Sequence, residues 1–185
     1  DNAGGSTPQV LSTFLHKLFD SFPEILATQE AVFFFAHAQR WDDQLVFDLI
    51  SNWRKSGRAF LQQAYGEIVG LVATVKEHDN WLRLRSELIS SGTDYMKIGL
   101  AYCAVNMWSN RKHQPKAAET LIALLKGASK DLVAAVMDIF RLTDELIPDT
   151  STVELLRALA DPGTDMSAAP PSFVVERLQT LLPHE

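Results

Sequence analysis

The chain contains the segment Leu61-Gln62-Gln63-Ala64-Tyr65-Gly66-Glu67-Ile68-Val69-Gly70, whose apolar residues recur at intervals of three and four. This spacing predicts an α-helix, because it places those side chains on one face. The alanine and glycine residues of the segment would allow a second helix to approach closely. The triplet Ala64-Tyr65-Gly66 is followed 37 residues later by Ala101-Tyr102-Cys103, so we expect such helices to recur and to be sandwiched between neighbours.

Helical signals extend over the whole chain. Apolar residues three and four apart dominate, and no segment keeps the clean alternation that would indicate a β-strand. Thr93 and Ser129 are suited to cap helix starts, and Gly127 is suited to close a helix end. Such start and stop signals predict an all-α protein with about ten helices. The predicted helices span residues 9–21, 29–41, 42–56, 58–77, 79–91, 93–110, 114–127, 129–147, 151–161 and 171–182.

The predicted helices pair into hairpins that repeat along the chain. The first helices of successive hairpins begin near residues 42, 79, 114 and 151, and the second helices begin near residues 58, 94, 130 and 171. Most connections are only a few residues long, which makes consecutive helices antiparallel. A repeat period of about 36 residues is typical of a helical solenoid. We therefore expect a stack of antiparallel helical hairpins, a right-handed α-α superhelix.

Two-helix repeats of this length, with Leu-rich first helices and Ala/Gly-bearing second helices such as 61–70, resemble the HEAT or armadillo class of α-solenoid. The resemblance covers roughly residues 42–182. It implies one continuous repeat domain over 42–185, with residues 1–41 as atypical amino-terminal capping helices. It also implies a concave face, formed by one helix of each pair, on which partners lie. Because the chain begins at Asp1 rather than methionine, we expect a fragment of a longer protein.

The composition disfavours several classes of protein, among them nucleic-acid-binding and membrane proteins. The chain has 185 residues, of which 46% are apolar, enough for a sizeable core. Its 17 Lys and Arg against 23 Asp and Glu give a net charge of −6, which disfavours a nucleic-acid partner or an anionic membrane. No apolar run is longer than the six residues of 31–36, which is far shorter than the roughly 20 residues of a membrane span. The single cysteine, Cys103, cannot form an internal disulfide, so we expect a cytoplasmic protein.

Patterns that carry catalytic chemistry are missing from the sequence. Neither a Gly-rich phosphate loop nor G-x-S-x-G nor H-E-x-x-H occurs, and the five histidines lie far apart. Residues 109–112 match S-x-x-K, but the companion motifs of that chemistry are absent. Cys103 lies in an apolar helix, which favours a buried, inert thiol. We therefore expect no cofactor, no metal and no enzymatic activity.

Two sets of residues are candidates for partner binding. The first set consists of polar residues on the predicted second helices, which would line the concave face: Gln62, Gln63, Glu67, Lys97, Asn106, Asp138 and Arg141. The second set couples tryptophans with basic residues at helix ends, where they could bind an acidic partner or complement the helix dipole: Trp53, Arg54, Lys55, Arg58, Trp108, Arg111 and Lys112.

These observations predict a non-catalytic protein-interaction or scaffold module, whose partner is another protein or another part of the parent chain. Two alternatives remain open. One is a nucleic-acid-binding HEAT-like domain, resembling some DNA glycosylases, which would need both Trp-basic clusters on one face with an acidic catalytic residue between them. The other is a regulatory or sensor segment of a larger signalling protein.

Overall fold

The computed structural model describes residues 7–22, 25, 30–31, 34–35, 43–76, 79–108, 110, 112–143 and 149–180. These residues form helices, turns and loops without a strand, and the all-α prediction is confirmed. Short 3-10 turns at Asn52–Lys55 and Met166–Ala168 join some of the α-helices. The α-helices are α1 Thr7–Ser21, α2 Asp43–Ser51, α3 Ala59–Lys76, α4 Asp79–Ser91, α5 Asp94–Trp108, α6 Gln114–Leu125, α7 Lys130–Thr143, α8 Asp149–Leu159 and α9 Pro171–Thr180.

The predicted helix boundaries agree closely with the described ones from α3 to α7. Thr93 and Ser129 act as the expected caps, since each hydroxyl accepts a hydrogen bond, at 3.4 Å, from an amide in the first turn of the next helix. Gly127 has a φ of 65°, the left-handed conformation that ends α6. The predicted helix 42–56 is instead α2 followed by a 3-10 turn. The predicted helix 29–41 lies mostly outside the described residues.

Helices α3, α5 and α7 pack side by side and run in the same direction. The Thr93 hydroxyl, just before α5, donates to the side-chain oxygen of Gln62 in the first turn of α3 at 2.7 Å. The Ser129 hydroxyl, just before α7, donates to the Asp94 carboxylate at 2.6 Å. The amino-terminal ends of all three helices therefore meet at one end of the stack. Helix α4 packs against α3 and α5, and helix α6 packs against α5 and α7.

The contact between α3 and α5 is backbone on backbone. A Cβ atom on Gly66 would overlap the carbonyl oxygen of Met96, and a Cβ atom on Gly99 would overlap the carbonyl oxygen of Gln63. Glycine on each helix therefore lets the partner helix approach to backbone distance, as the small residues of segment 61–70 predict. The buried side chains of these helices join one continuous apolar core with those of α4, α6 and α7.

The Pro-rich loop after α8 is tied to the turn that ends α6. The Thr164 hydroxyl donates to the carbonyl oxygen of Leu125 at 2.6 Å and accepts from the amide of Gly127 at 3.1 Å. The amide of Asp165 donates to the carbonyl oxygen of Ala128 at 2.8 Å. These bonds satisfy backbone groups that a helix end leaves open. They join two segments that are 37 residues apart in sequence.

Candidate functional site

Helices α3, α5 and α7 each present three residues at i, i+3 and i+7 on the side away from their buried core residues. This spacing keeps the three side chains within about 60° of one another around a helix. All of them are exposed or half-buried. We call these nine residues the outer face: Phe60, Gln63 and Glu67 on α3, Tyr95, Ile98 and Tyr102 on α5, and Asp131, Ala134 and Asp138 on α7.

The three triplets occupy equivalent positions near the starts of their helices. Tyr95 follows Phe60 by 35 residues, and Asp131 follows Tyr95 by 36, in agreement with the period found in the sequence. The residue after each of these positions is buried: Leu61, Met96 and Leu132. Because the helices are parallel neighbours, equivalent residues form rows across the face. The row nearest the carboxyl ends is Glu67, Tyr102 and Asp138, with an acid on each side of an aromatic ring.

The outer face is aromatic and acidic. Tyr95 and Tyr102 are 51% and 46% exposed, although most of the described α5 side chains are buried. Glu67, Asp131 and Asp138 supply three carboxylates, and none of the nine residues is basic.

The lysines nearest to the outer face in sequence are Lys97 and Lys130. Lys97, on α5, is half-buried and is turned about 160° away from Tyr95 around the helix. The charge of Lys130, at the start of α7, acts on Asp165 in the loop after α8. Hydrogen bonds from Ser167, and then that charge, lower the pKa of the Asp165 carboxyl.

Glu67 links two helices of the outer face. The side-chain amide of Asn106 on α5 donates to its carboxylate at 3.2 Å. Burial raises the pKa of the Glu67 carboxyl, and the hydrogen bond from Asn106 opposes that rise. The carboxylate is thus half-buried but held in place by a polar partner.

Cys103 of α5 lies against Gly70 of α3, and the prediction of a buried thiol is confirmed. Its sulfur lies 3.7 Å from that of Met107. Burial raises the pKa of the Cys103 thiol, Glu67 raises it further, and the charge of Arg85 on α4 opposes them. The thiol is therefore protonated at neutral pH, and a thiolate nucleophile is not available here.

The predicted concave-face residues divide among several roles. The side-chain amide of Gln62 donates to the carbonyl oxygen of Ser56 in the turn before α3, at 2.6 Å. The side-chain oxygen of Gln62 accepts from the Thr93 hydroxyl, so Gln62 bonds within the fold on both sides. Gln63, Glu67 and Asp138 do lie on the outer face, and Asn106 joins it through Glu67. Lys97 does not, and the side chain of Arg141 lies outside the described part.

Residue-by-residue reasoning missed the aromatic members of this surface. Phe60, Tyr95, Tyr102 and the acidic Asp131 were not among the predicted binding residues. The signal that could have found them was present, since Tyr95 and Tyr102 are seven residues apart on one helix and repeat the positions of Phe60 and Glu67.

The two Trp-basic clusters lie at opposite ends of the α3 and α5 pair. Residues 53–58 precede α3, whereas residues 108–113 end and follow α5, which is about 22 Å long. Because α3 and α5 run parallel, the clusters do not form one patch. Lys55, Arg58 and Lys112 are exposed, while the Trp108 side chain and Arg111 lie outside the described residues.

Trp53 of the first cluster is a core residue. Its side chain is only 6% exposed and packs edge-on against Phe35, with ring centroids 5.5 Å apart. Arg54 forms an ion pair with Glu87 of α4 at 3.6 Å. This tryptophan therefore packs the helix end and does not offer a free ring for stacking.

Within the described part of the chain, no group of three or more His, Cys, Asp or Glu residues could hold a metal ion. No helix among the described residues is both long enough and apolar enough to cross a membrane. Comparisons of the chain with protein-family models, with curated proteins and with solved structures give no significant match.

Proposed function

We propose that this chain is a non-catalytic protein-interaction module, whose partner lies across the outer face. The observation that carries the proposal is the exposure of Tyr95 and Tyr102, one above the other on a helix that is otherwise largely buried. Tyrosine is enriched at protein interfaces, because its ring buries a large apolar area while its hydroxyl keeps a polar contact. Two such rings, about 10 Å apart along α5, are suitable anchors for a partner.

The repeat architecture supports the same proposal. Parallel packing of α3, α5 and α7, with equivalent residues 35 and 36 apart, is what a HEAT-like solenoid would require of its second helices. Solenoids bind partners along an extended face built from one helix of each repeat. The polar side chains Gln62, Glu67 and Asn106 form hydrogen bonds within the fold, so the proposal rests on the exposed tyrosines. A single buried thiol fits a reducing compartment such as the cytoplasm.

A peptide-display selection tests this function. Wild-type protein is used to select binders from a library of random peptides, and the binders are retested against two variants. Tyr95→Ser with Tyr102→Ser removes both outer-face rings, whereas Phe14→Ser with Phe22→Ser removes two exposed aromatic side chains at α1. We expect binding to survive in the second variant and to be lost in the first. Circular dichroism confirms that both variants stay folded.

If the selected peptides bind both variants as well as they bind the wild-type protein, the outer face is not the binding surface. Nucleic acid is tested separately by filter binding at several salt concentrations, where phosphate contacts would give a steep dependence on salt. Tight, salt-dependent binding of nucleic acid would support the alternative function and count against this one.

A further inference from the structure

We propose that α4 carries a further binding site, where the Arg85 guanidinium receives a carboxylate of a partner peptide and Leu82 and Ile89 contact apolar residues beside that acid. These three residues lie at i, i+3 and i+7 on one side of α4, and all of them are half-buried. We call them the Arg85 stripe. The proposal goes beyond the outer face, to which none of the three belongs.

The Arg85 side chain lacks an acceptor within the described part of the chain. Its Nε and Nη1 atoms are buried there and have no hydrogen-bond partner. A guanidinium stays protonated in proteins, so the charge cannot be relieved by loss of a proton. Buried polar groups are nearly always hydrogen-bonded, and a buried charge without a partner is costly. The arrangement therefore calls for an acceptor from outside the chain.

Position 85 is one at which the fold itself would accept an apolar residue. The burial pattern of α4 recurs in α6 at a spacing of 36 residues, since the following residues are all buried: Trp81, Leu84, Leu88, Ala117, Thr120 and Leu124. The residue 36 after Arg85 is Leu121, which is fully buried. Packing alone would thus favour leucine at position 85, and the cation there needs another reason.

The Arg85 stripe lies on the side of α4 that faces away from α2. Glu87 of α4 pairs with Arg54, in the turn after α2, at 3.6 Å. Arg85 is turned about 160° from Glu87 around the helix. The stripe and this ion pair are therefore on opposite sides of α4.

The stripe has less cover than the corresponding residues of α6. Leu82 and Ile89 are half-buried, whereas Ala118 and Leu125, 36 residues later, are fully buried. The backbones of α6 and α8 approach closely, but those of α4 and α6 have no comparable contact. A partner segment beside α4 would supply the missing cover.

The Arg85 charge also acts on the interior of the stack. Burial raises the pKa of the Cys103 thiol on α5, Glu67 raises it further, and the Arg85 charge lowers it. The guanidinium is therefore close enough to α5 for its charge to reach a buried group. A carboxylate that meets it there is partly shielded from water, which strengthens the pair.

A carboxylate is the acceptor that matches Arg85 best. Its two oxygens can take two parallel hydrogen bonds from the planar guanidinium, and it neutralises the charge, which an amide or a water molecule does not. Leu82 and Ile89 flank Arg85 by about one turn, so the partner's Asp or Glu would have apolar residues near it. Nucleic acid is a poorer occupant, because its many phosphates would be repelled by a chain of net charge −6.

A focused set of synthetic peptides tests the proposal. Each is an amphipathic helical peptide of about 15 residues, with Glu, Gln or Lys at one central position and Ala, Val, Leu, Ile or Phe one turn before and after it. Binding is measured by fluorescence anisotropy at about 0.15 M salt, where long-range attraction is screened. We expect the tightest Glu peptides to bind about tenfold more tightly than their Gln counterparts, and the Lys counterparts not to bind.

Matched variants assign this preference to Arg85. Arg85→Leu should abolish the preference for Glu over Gln, whereas Arg83→Leu, at an exposed position of the same helix, should retain it. Arg85→Lys keeps the charge but loses the planar fork, so the preference should shrink. Tyr95→Ser with Tyr102→Ser should leave it unchanged, which separates this site from the outer face.

Urea unfolding separates binding from a structural role of Arg85. Arg85→Leu removes a charge without a partner, so we expect its unfolding midpoint to equal or exceed that of wild type. The Glu peptide should raise the midpoint of wild type but not that of Arg85→Leu.

Three outcomes would overturn the proposal. The first is a peptide set without any member that prefers Glu to Gln, and the second is equal loss of that preference in Arg83→Leu and Arg85→Leu. The third is an unfolding midpoint of Arg85→Leu below that of wild type, since Arg85 would then have a stabilising partner within the chain.

Discussion

The carbonyl oxygen of Met96 on α5 occupies the place that a Cβ atom on Gly66 of α3 would need. The reciprocal contact lies one turn away, where Gly99 of α5 faces the carbonyl oxygen of Gln63 on α3. Two glycines, one from each helix, thus set the distance between the two helices. That distance in turn sets how far Glu67 lies from Tyr102 on the outer face.

We expect Gly66→Ala and Gly99→Ala to destabilise the protein. Alanine would otherwise favour a helix by about 1 kcal/mol, but overpacking against a rigid backbone costs about 1–3 kcal/mol or more. The measurement is the free energy of unfolding in urea. Gly57→Ala is the control, because nothing lies within 4 Å of the added Cβ. A Gly66→Ala variant as stable as the Gly57→Ala control would show that the two helices are not in backbone contact.

We expect Thr164→Val to loosen the link between the loop after α8 and the end of α6. The substitution removes the hydroxyl that donates to the carbonyl oxygen of Leu125 and accepts from the amide of Gly127. One of these hydrogen bonds is half-buried and the other is exposed, and losing such a bond costs about 0.5–1.5 kcal/mol. Thr164→Ser keeps the hydroxyl and should retain most of the stability. Hydrogen exchange at the amides of Gly127 and Asp165 should accelerate in the valine variant alone.

We expect Glu67→Gln to be at least as stable as wild type at neutral pH. Burial raises the pKa of Glu67 above its ordinary value of 4.5, so the folded state binds a proton more readily than the unfolded state. The ionised carboxylate therefore opposes folding above the raised pKa, and this cost disappears as the pH falls through it.

The direction of this pKa shift is tested by the difference in unfolding free energy between Glu67→Gln and wild type, measured from about pH 7 to pH 4. We expect the stability of Glu67→Gln relative to wild type to decrease as the pH falls and Glu67 of the wild type takes up its proton. Glu119→Gln, at an exposed position of α6, makes the same substitution and is the control. A difference that is constant over the whole range would contradict the raised pKa.

We expect the Cys103 thiol to react with a thiol reagent only after the protein opens. The side chain is buried, and its raised pKa removes the reactive thiolate at neutral pH. Reaction in native buffer should be slower than in denaturant by on the order of a thousandfold, because opening a stable core costs several kcal/mol. Immediate reaction in native buffer would place Cys103 at the surface.

Much of the fold could be predicted from local signals. The caps Thr93 and Ser129 and the stop at Gly127 act over a few residues, so their positions follow from sequence. The small residues of 61–70 also predicted close packing. The partner of Gly66 could not be predicted, since its contact with Met96 depends on how two helices 30 residues apart slide against each other.

The candidate surface was only partly predictable for a similar reason. Polar residues on the second helices were expected to face a partner, yet Gln62 and Asn106 bond within the fold, and Lys97 is turned away from Tyr95. The sequence left open whether Trp53 binds a partner or packs at the helix end, and its contact with Phe35 shows that it packs. Whether a polar or aromatic side chain is exposed depends on which neighbouring helix packs on it, and this is a property of tertiary structure.

The backbone contact at Gly66 and Gly99 makes the packing of α5 against α3, on one side of Tyr102, more rigid than its packing against α7 on the other side. At these two glycines no side chain separates α3 from α5, so the spacing from Glu67 to Tyr102 is preorganised, and a partner would lose little conformational entropy on that side. Helix α7 carries no glycine and meets α5 through side chains such as Ser129 on Asp94. Adaptation to partners of different size would therefore occur by repacking between Tyr102 and Asp138.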